Sequence, residues 1–265
     1  MGIPLKSAPV YFTVAQVQFN PILKLPEFLP TIQEGFRNLG FPDFSLQKVL
    51  ALRLTVQNGQ PMPSPPSLID RYSFQNARTT KSFLLDPDKL IFQSTDYGQF
   101  EAFSSELLKG LELLHDVVRL DFTERVGLRY LDRVTPRATD RLEDYLVPEV
   151  LGVSGRLAGL AGRPLRSFSE TLHESSGIKL LSRVIIQEGG LAFPPDLLGN
   201  NMAVNTRFQD YTGLHAILDN DGFVESREPY SLDTLRRHLD TIHGVISAAF
   251  RATATPHAFT VWELN

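Results

Sequence analysis

The sequence predicts an α+β fold of two similar halves, residues 1–120 and 121–265, each an antiparallel sheet with helices packed on one face. Three observations predict it. Several segments alternate apolar and polar residues, as strands covered on one side do. Two long segments carry apolar residues at helical spacing. The order strand, helix, three strands, helix occurs twice.

In the first half, residues 10–19 are apolar on both faces and β-rich, so they form a strand covered on both sides. Pro26 opens a helix carrying Phe28, Leu29, Ile32, Phe36 and Leu39, which Gly40 and Pro42 stop. Leu46, Leu50, Leu52, Leu54 and Val56 alternate along the next strand, and residues 58–67 make a proline-rich loop. Strands at 71–85 and 90–95 join at "DPDK", and a helix at 99–118 follows.

The second half opens on a strand at 121–134, then a helix at 140–151 and a glycine-rich connector. Strands at 165–173 and 178–188 precede one ending at Leu218. "DNDG" (219–222) supplies a hairpin turn into a short strand at 223–227. A helix at 231–250 leads into "AFTVWEL", a closing strand. The segments "LLDPDKLIFQ" and "AILDNDGFVE" align, and each runs into a helix with matching apolar spacing, which suggests internal duplication.

Composition narrows the function classes. The chain has 265 residues, 42% hydrophobic, and a formal net charge of −4, so it exerts no overall pull on nucleic acid or an anionic membrane surface. With no cysteine, disulfide and thiolate chemistry are excluded. No apolar run approaches the roughly 20 residues of a membrane-spanning helix, and the start lacks a signal-peptide pattern. A cytoplasmic protein with no membrane association is expected.

Catalytic motifs are near misses. "GVSGR" places Arg156 where a nucleophile elbow needs its second glycine. The glycines at 152, 155, 159 and 162 fit neither a Walker loop nor a dinucleotide fingerprint. His238 and His243 are five apart on one helix, which misses the i, i+4 spacing of a zinc helix. No catalytic residue, metal or cofactor is assigned.

The strand "DFTERVGLRYLDRV" stands out. Phe122, Val126, Leu128, Tyr130 and Val134 mark a buried face, interrupted by Glu124 and Asp132. Arg125, Arg129 and Arg133 share the other face, spaced about 13 Å apart, with Gly127 leaving a gap between the first two. That pattern suits either an anion-binding platform or a solvated face whose arginines pair with nearby acids. Arg125, Gly127, Arg129, Tyr130 and Arg133 are the candidate partner-binding residues.

The same strand carries a resemblance. "ERVGLRYLDRV", with Arg125, Gly127, Leu128, Arg129 and Tyr130, looks like the signature of a sporadically distributed family of uncharacterised bacterial and archaeal proteins. The opening "APVYFTVAQVQFNP" is similar to that family's start, with Pro9, Phe19 and Pro21 in the expected places. The family's start also has a glutamate soon after the proline, where this sequence shows Phe12 or Thr13. The resemblance implies an origin in phage-defence or toxin–antitoxin loci. The lack of an assembled catalytic constellation and the acidic balance favour a non-catalytic interaction protein with a protein partner, of adaptor, immunity or antitoxin type. A nucleic-acid binder using the basic row with Arg71, Arg78 and Lys81, and an enzyme of unfamiliar type, are the alternatives.

Overall fold

A computed structural model describes residues 5–51, 54–57, 60–63, 67–137, 139–157, 165–197 and 201–263. The fold is α+β, as predicted, but the two halves share one sheet. Nine antiparallel strands run in the order β2-β5-β6-β7-β1-β8-β11-β10-β9. They are β1 (Val10–Phe19), β2 (Asp43–Ala51), β5 (Ser67–Gln75), β6 (Lys81–Asp86) and β7 (Lys89–Ser94) of the first half, then β8 (Phe122–Val134), β9 (Arg166–Ser175), β10 (Ile178–Glu188) and β11 (Leu214–Pro229) of the second. A separate small hairpin pairs β3 (Leu54–Gln57) with β4 (Gln60–Pro63).

β1 and β8 meet in the middle, from Val10 opposite Asp132 to Phe19 opposite Thr123. Outward from that pair, both halves repeat one scheme: the first strand of the half lies innermost, the last strand beside it, and the earlier strands follow in reverse.

Helices α1 (Leu25–Asn38), α2 (Phe100–Val118) and α5 (Leu232–Thr253) cover one face. Their apolar stripes and the inward side chains of the sheet form one core, with Phe36 stacked on Phe74 at 4.5 Å and Phe83 on Phe92 at 4.5 Å. The helices approach closely because glycine allows it. A Cβ on Gly35 would stand 2.5 Å from Leu113 of α2. A second cluster at one end joins α3 (Leu142–Tyr145), α6 (Pro256–Glu263) and Trp262 to Val134, Val184 and Leu218. Between the two clusters a polar row crosses the sheet through buried Ser94, Thr13, Tyr130 and Asn220 to half-buried Ser182.

Several expected elements take another form. The strand expected over 71–85 is two strands, because the Asn76 side chain accepts hydrogen bonds from the backbone of Thr80 and Lys81 and turns the chain. The helix expected over 140–151 shrinks to α3 and a 3-10 turn (Pro148–Val150), since Pro148 holds Val147 extended. Part of the proline-rich loop is β4, while 58–59 and 64–66 lie outside the described residues. Within the glycine-rich connector α4 (Val153–Leu157) forms, and 158–164 are likewise outside. The described part of "AFTVWEL", residues 258–263, is not a strand but belongs to α6, and Leu264 lies outside the described residues. Thr255 accepts a hydrogen bond from the Ala258 backbone, Pro256 opens the first turn, and Ala258, Val261 and Trp262 bury one face.

The largest departure is "DNDG", which is no turn at all. It lies in the middle of the 16-residue β11, opposite Arg183, Ser182, Leu181 and Leu180 of β10. Its polar side chains are satisfied sideways. Asp219 takes two arginines, and Asn220 accepts from Ser182 at 2.8 Å. Gly222 is there because α5 packs against it, where a Cβ would meet Ile242 at 2.7 Å. "LLDPDK" does form a hairpin turn, so the aligned segments differ in structure although each precedes a helix.

Candidate functional site

The face of the sheet opposite α1, α2 and α5 is partly crossed by a strap, whose described residues are 189–197 and 201–211, and beside it lies a cleft of 630 Å³. The side chains of β8 sort between the two faces as the alternation requires. Val126, Leu128, Tyr130 and Val134 enter the core beneath the helices. Arg125, Gly127, Arg129 and Arg133 point to the strap side.

The three arginines do not form an open row. Arg133 is 2% exposed and is the strap's anchor, donating to the carbonyls of Phe208, Gly189 and Tyr211. Arg129 is clasped by fully buried Asp219, through Nε at 2.6 Å and Nη2 at 2.8 Å, and also by Asp196 of the strap. Although burial opposes its charge, the hydrogen bonds it donates to both carboxylates push its pKa up. The platform of three free guanidinium groups is therefore corrected: two members bind the fold together.

Arg125 differs. Among the described residues no carboxylate lies within 4.0 Å of it. Its guanidinium sits 4.4 Å from the Phe223 ring centroid and lies over Gly127, where a Cβ would stand 3.0 Å from Nη1. The gap read from the sequence exists, and Arg125 itself folds into it.

Tyr130 faces the core. Its hydroxyl lies 2.8 Å from that of Tyr97 and 3.1 Å from His243 Nδ1. The other cations offered for nucleic acid are engaged as well. Arg71 grips buried Asp86 with two bonds of 2.7 Å, Lys81 reaches Glu106 at 2.8 Å, and Arg78 lies 3.7 Å from Asp96. His238 stands 3.4 Å from Glu228, and His243 stacks on Phe100. Among the described residues no cluster of three or more potential ligands is placed to hold a metal ion, and no helix is long and apolar enough to cross a membrane.

The cleft itself is built from residues that carry no motif. Register aligns Gln16, Ile91, Leu84, Ser73 and Ser45 across five neighbouring strands, with Gly127 at the end of that row. Ile91 and Leu84 give an apolar floor, Gln47 and Gln75 add carboxamides, and buried Gln93 donates to Ser82 at 2.8 Å. Asp221 also lines it. Burial raises its pKa, against the opposing charges of Arg125 and Arg129. Sequence reading missed this site because its members are single polar residues on strands distant in the chain. Their only signal was a polar residue at every second position.

In comparisons with known proteins, no family model matches the chain and no curated protein matches it.

Proposed function

We propose that the protein is a cytoplasmic, non-catalytic interaction module that holds an extended segment of a protein partner in the cleft. Adaptor, immunity or antitoxin roles are the contexts that suit such a module. The observation supporting this reading is the lining. Hydroxyls and carboxamides from neighbouring strands surround an apolar floor, beside an arginine that makes no ion pair within 4.0 Å among the described residues. Amides and hydroxyls match the donors and acceptors of an extended backbone, and a free guanidinium selects an acidic group. Nucleic acid fits less well. It needs several uncommitted cations, and Arg71, Lys81, Arg129 and Arg133 are all bonded within the protein.

The test is site-specific photocrosslinking in host cells, with a benzophenone side chain at Gln47 in the cleft or at Arg236 on the outer face of α5. A protein adduct from position 47 that Arg125→Ala abolishes is the expected result. Adducts formed only from position 236, or nuclease-sensitive adducts from position 47, would overturn the proposal.

A further inference from the structure

We infer that Asp196 is an internal place-holder on Arg129, and that a carboxylate of an acidic partner segment takes its position when that segment enters the cleft. The inference rests on the cleft reading above and adds the class of ligand and the contact that competes with it.

Arg129 offers five N–H donors in a planar fork. Its inner edge is committed to Asp219, which is 0% exposed and also receives Arg183 at 3.2 Å. Its outer edge, Nη1 and the second hydrogen of Nη2, faces Asp196. Nη1 holds Asp196 closely while the Nη2 contact is a longer 3.4 Å, and the Asp196 side chain is 60% exposed. One guanidinium therefore carries two very unlike carboxylates. Removing Asp219 would strand a buried charge, whereas Asp196 is itself largely in solvent and leaves Arg129 still paired with Asp219 when it goes.

The geometry also shows what fits. Asp196 stands on a single 3-10 turn (Pro195–Leu197) of the strap, not on the sheet. Asp196, Arg129 and Arg125 line the same cleft. A carboxylate arriving in the cleft meets an edge already shaped for a carboxylate. Exchange of one for the other leaves the charge at Arg129 unchanged, so the neighbouring Asp221 gains no extra repulsion. Arg125 supplies a second cation four residues away on the same face, about 13 Å along the strand. An extended segment with spaced acidic side chains spans that distance.

The test uses a fluorescein-labelled hexapeptide of alternating serine and glutamate, its glutamine counterpart, and the full chain. The acidic peptide should bind, and Asp196→Asn should tighten it roughly tenfold by removing the competitor. Glu170→Gln removes the same charge from the Arg183 end of the network, outside the cleft, and should change binding less than about twofold. In spectra of arginine-labelled protein, the Arg129 Nε–H signal should move on peptide addition in wild type and hardly move in Glu-free controls.

Equal tightening by both variants would mean bulk charge alone. No effect of Asp196→Asn would mean that the contact is structural. Either result overturns the inference, as does failure of the acidic peptide to bind. The cleft reading is judged separately. It survives if the acidic peptide binds, Asp196→Asn leaves its affinity unchanged and Arg125→Ala abolishes it, and it falls if neither peptide shifts any cleft signal.

Discussion

Asp132 illustrates how a single residue resists reading from sequence. It stands at an apolar position of β8, is 7% exposed, and makes no side-chain hydrogen bond among the described residues. Burial pushes its pKa up from 3.8 to about 7. A native carboxyl that holds its proton more tightly than the unfolded chain does makes stability fall as pH rises from about 4 to about 7, with no further loss above. The displacement corresponds to on the order of 4 kcal/mol. Asp132→Asn should therefore raise stability at pH 8 by about 2 kcal/mol, less than the full amount because the amide is also buried without a partner. The gain should vanish near pH 4. Parallel melting profiles of the two proteins from pH 4 to 8 would refute this. Gly127 is the converse case. The atom a Cβ meets first is the far end of the Arg125 side chain, so Gly127→Ala should cost under about 1 kcal/mol while moving Arg125 off Phe223 and weakening partner binding. The arginines were legible as a pattern. Their acids were not, because Asp219 and Asp196 lie 90 and 67 residues further on.

At the scale of elements, the sequence was most legible where periodicity and end signals agreed. The β1 and α2 expectations match to within a residue. It failed where local chemistry was overruled from a distance. "DNDG" has the composition of a turn, but Arg129, Arg183 and Ser182 turn its polar atoms into cross-strand partners. α6 was readable in principle from its Thr-Pro start, yet β-branched and aromatic residues in a short run favoured a strand. Two helix glycines give a test of opposite sign. Gly110 of α2 lies where a Cβ would meet the Phe83 ring at 2.5 Å, so Gly110→Ala should destabilise by about 1–3 kcal/mol. Gly244 of α5 has nothing within 4 Å, so Gly244→Ala should stabilise by about 0.5–1 kcal/mol. Chemical denaturation decides both. The strap offers a second test, because Arg133→Met strips three carbonyls of their donor. Amide exchange of Ala203, bonded to Thr79, and of Gly189, bonded to Thr212, should quicken while α2 stays protected.

For the whole molecule, the order of elements was visible in the sequence, but the joining of the halves was not. Strand pairing between β1 and β8 links segments more than a hundred residues apart, and nothing local records it. That pairing has a thermodynamic consequence. The main core draws Val17 and Phe92 from the first half and Leu128, Leu239 and Ile246 from the second, and α2 packs against α5. Separation at residue 120 would expose the inner edges of β1 and β8 and the apolar face each half buries against the other. The intact chain should therefore melt in one calorimetric transition, with equal calorimetric and van't Hoff enthalpies. Residues 1–120 and 121–265 expressed apart should each lack cooperative unfolding, and should regain it when co-expressed. A chain showing two transitions, or a half that folds alone, would mean that each half stabilises itself and that the central strand pair only docks one against the other.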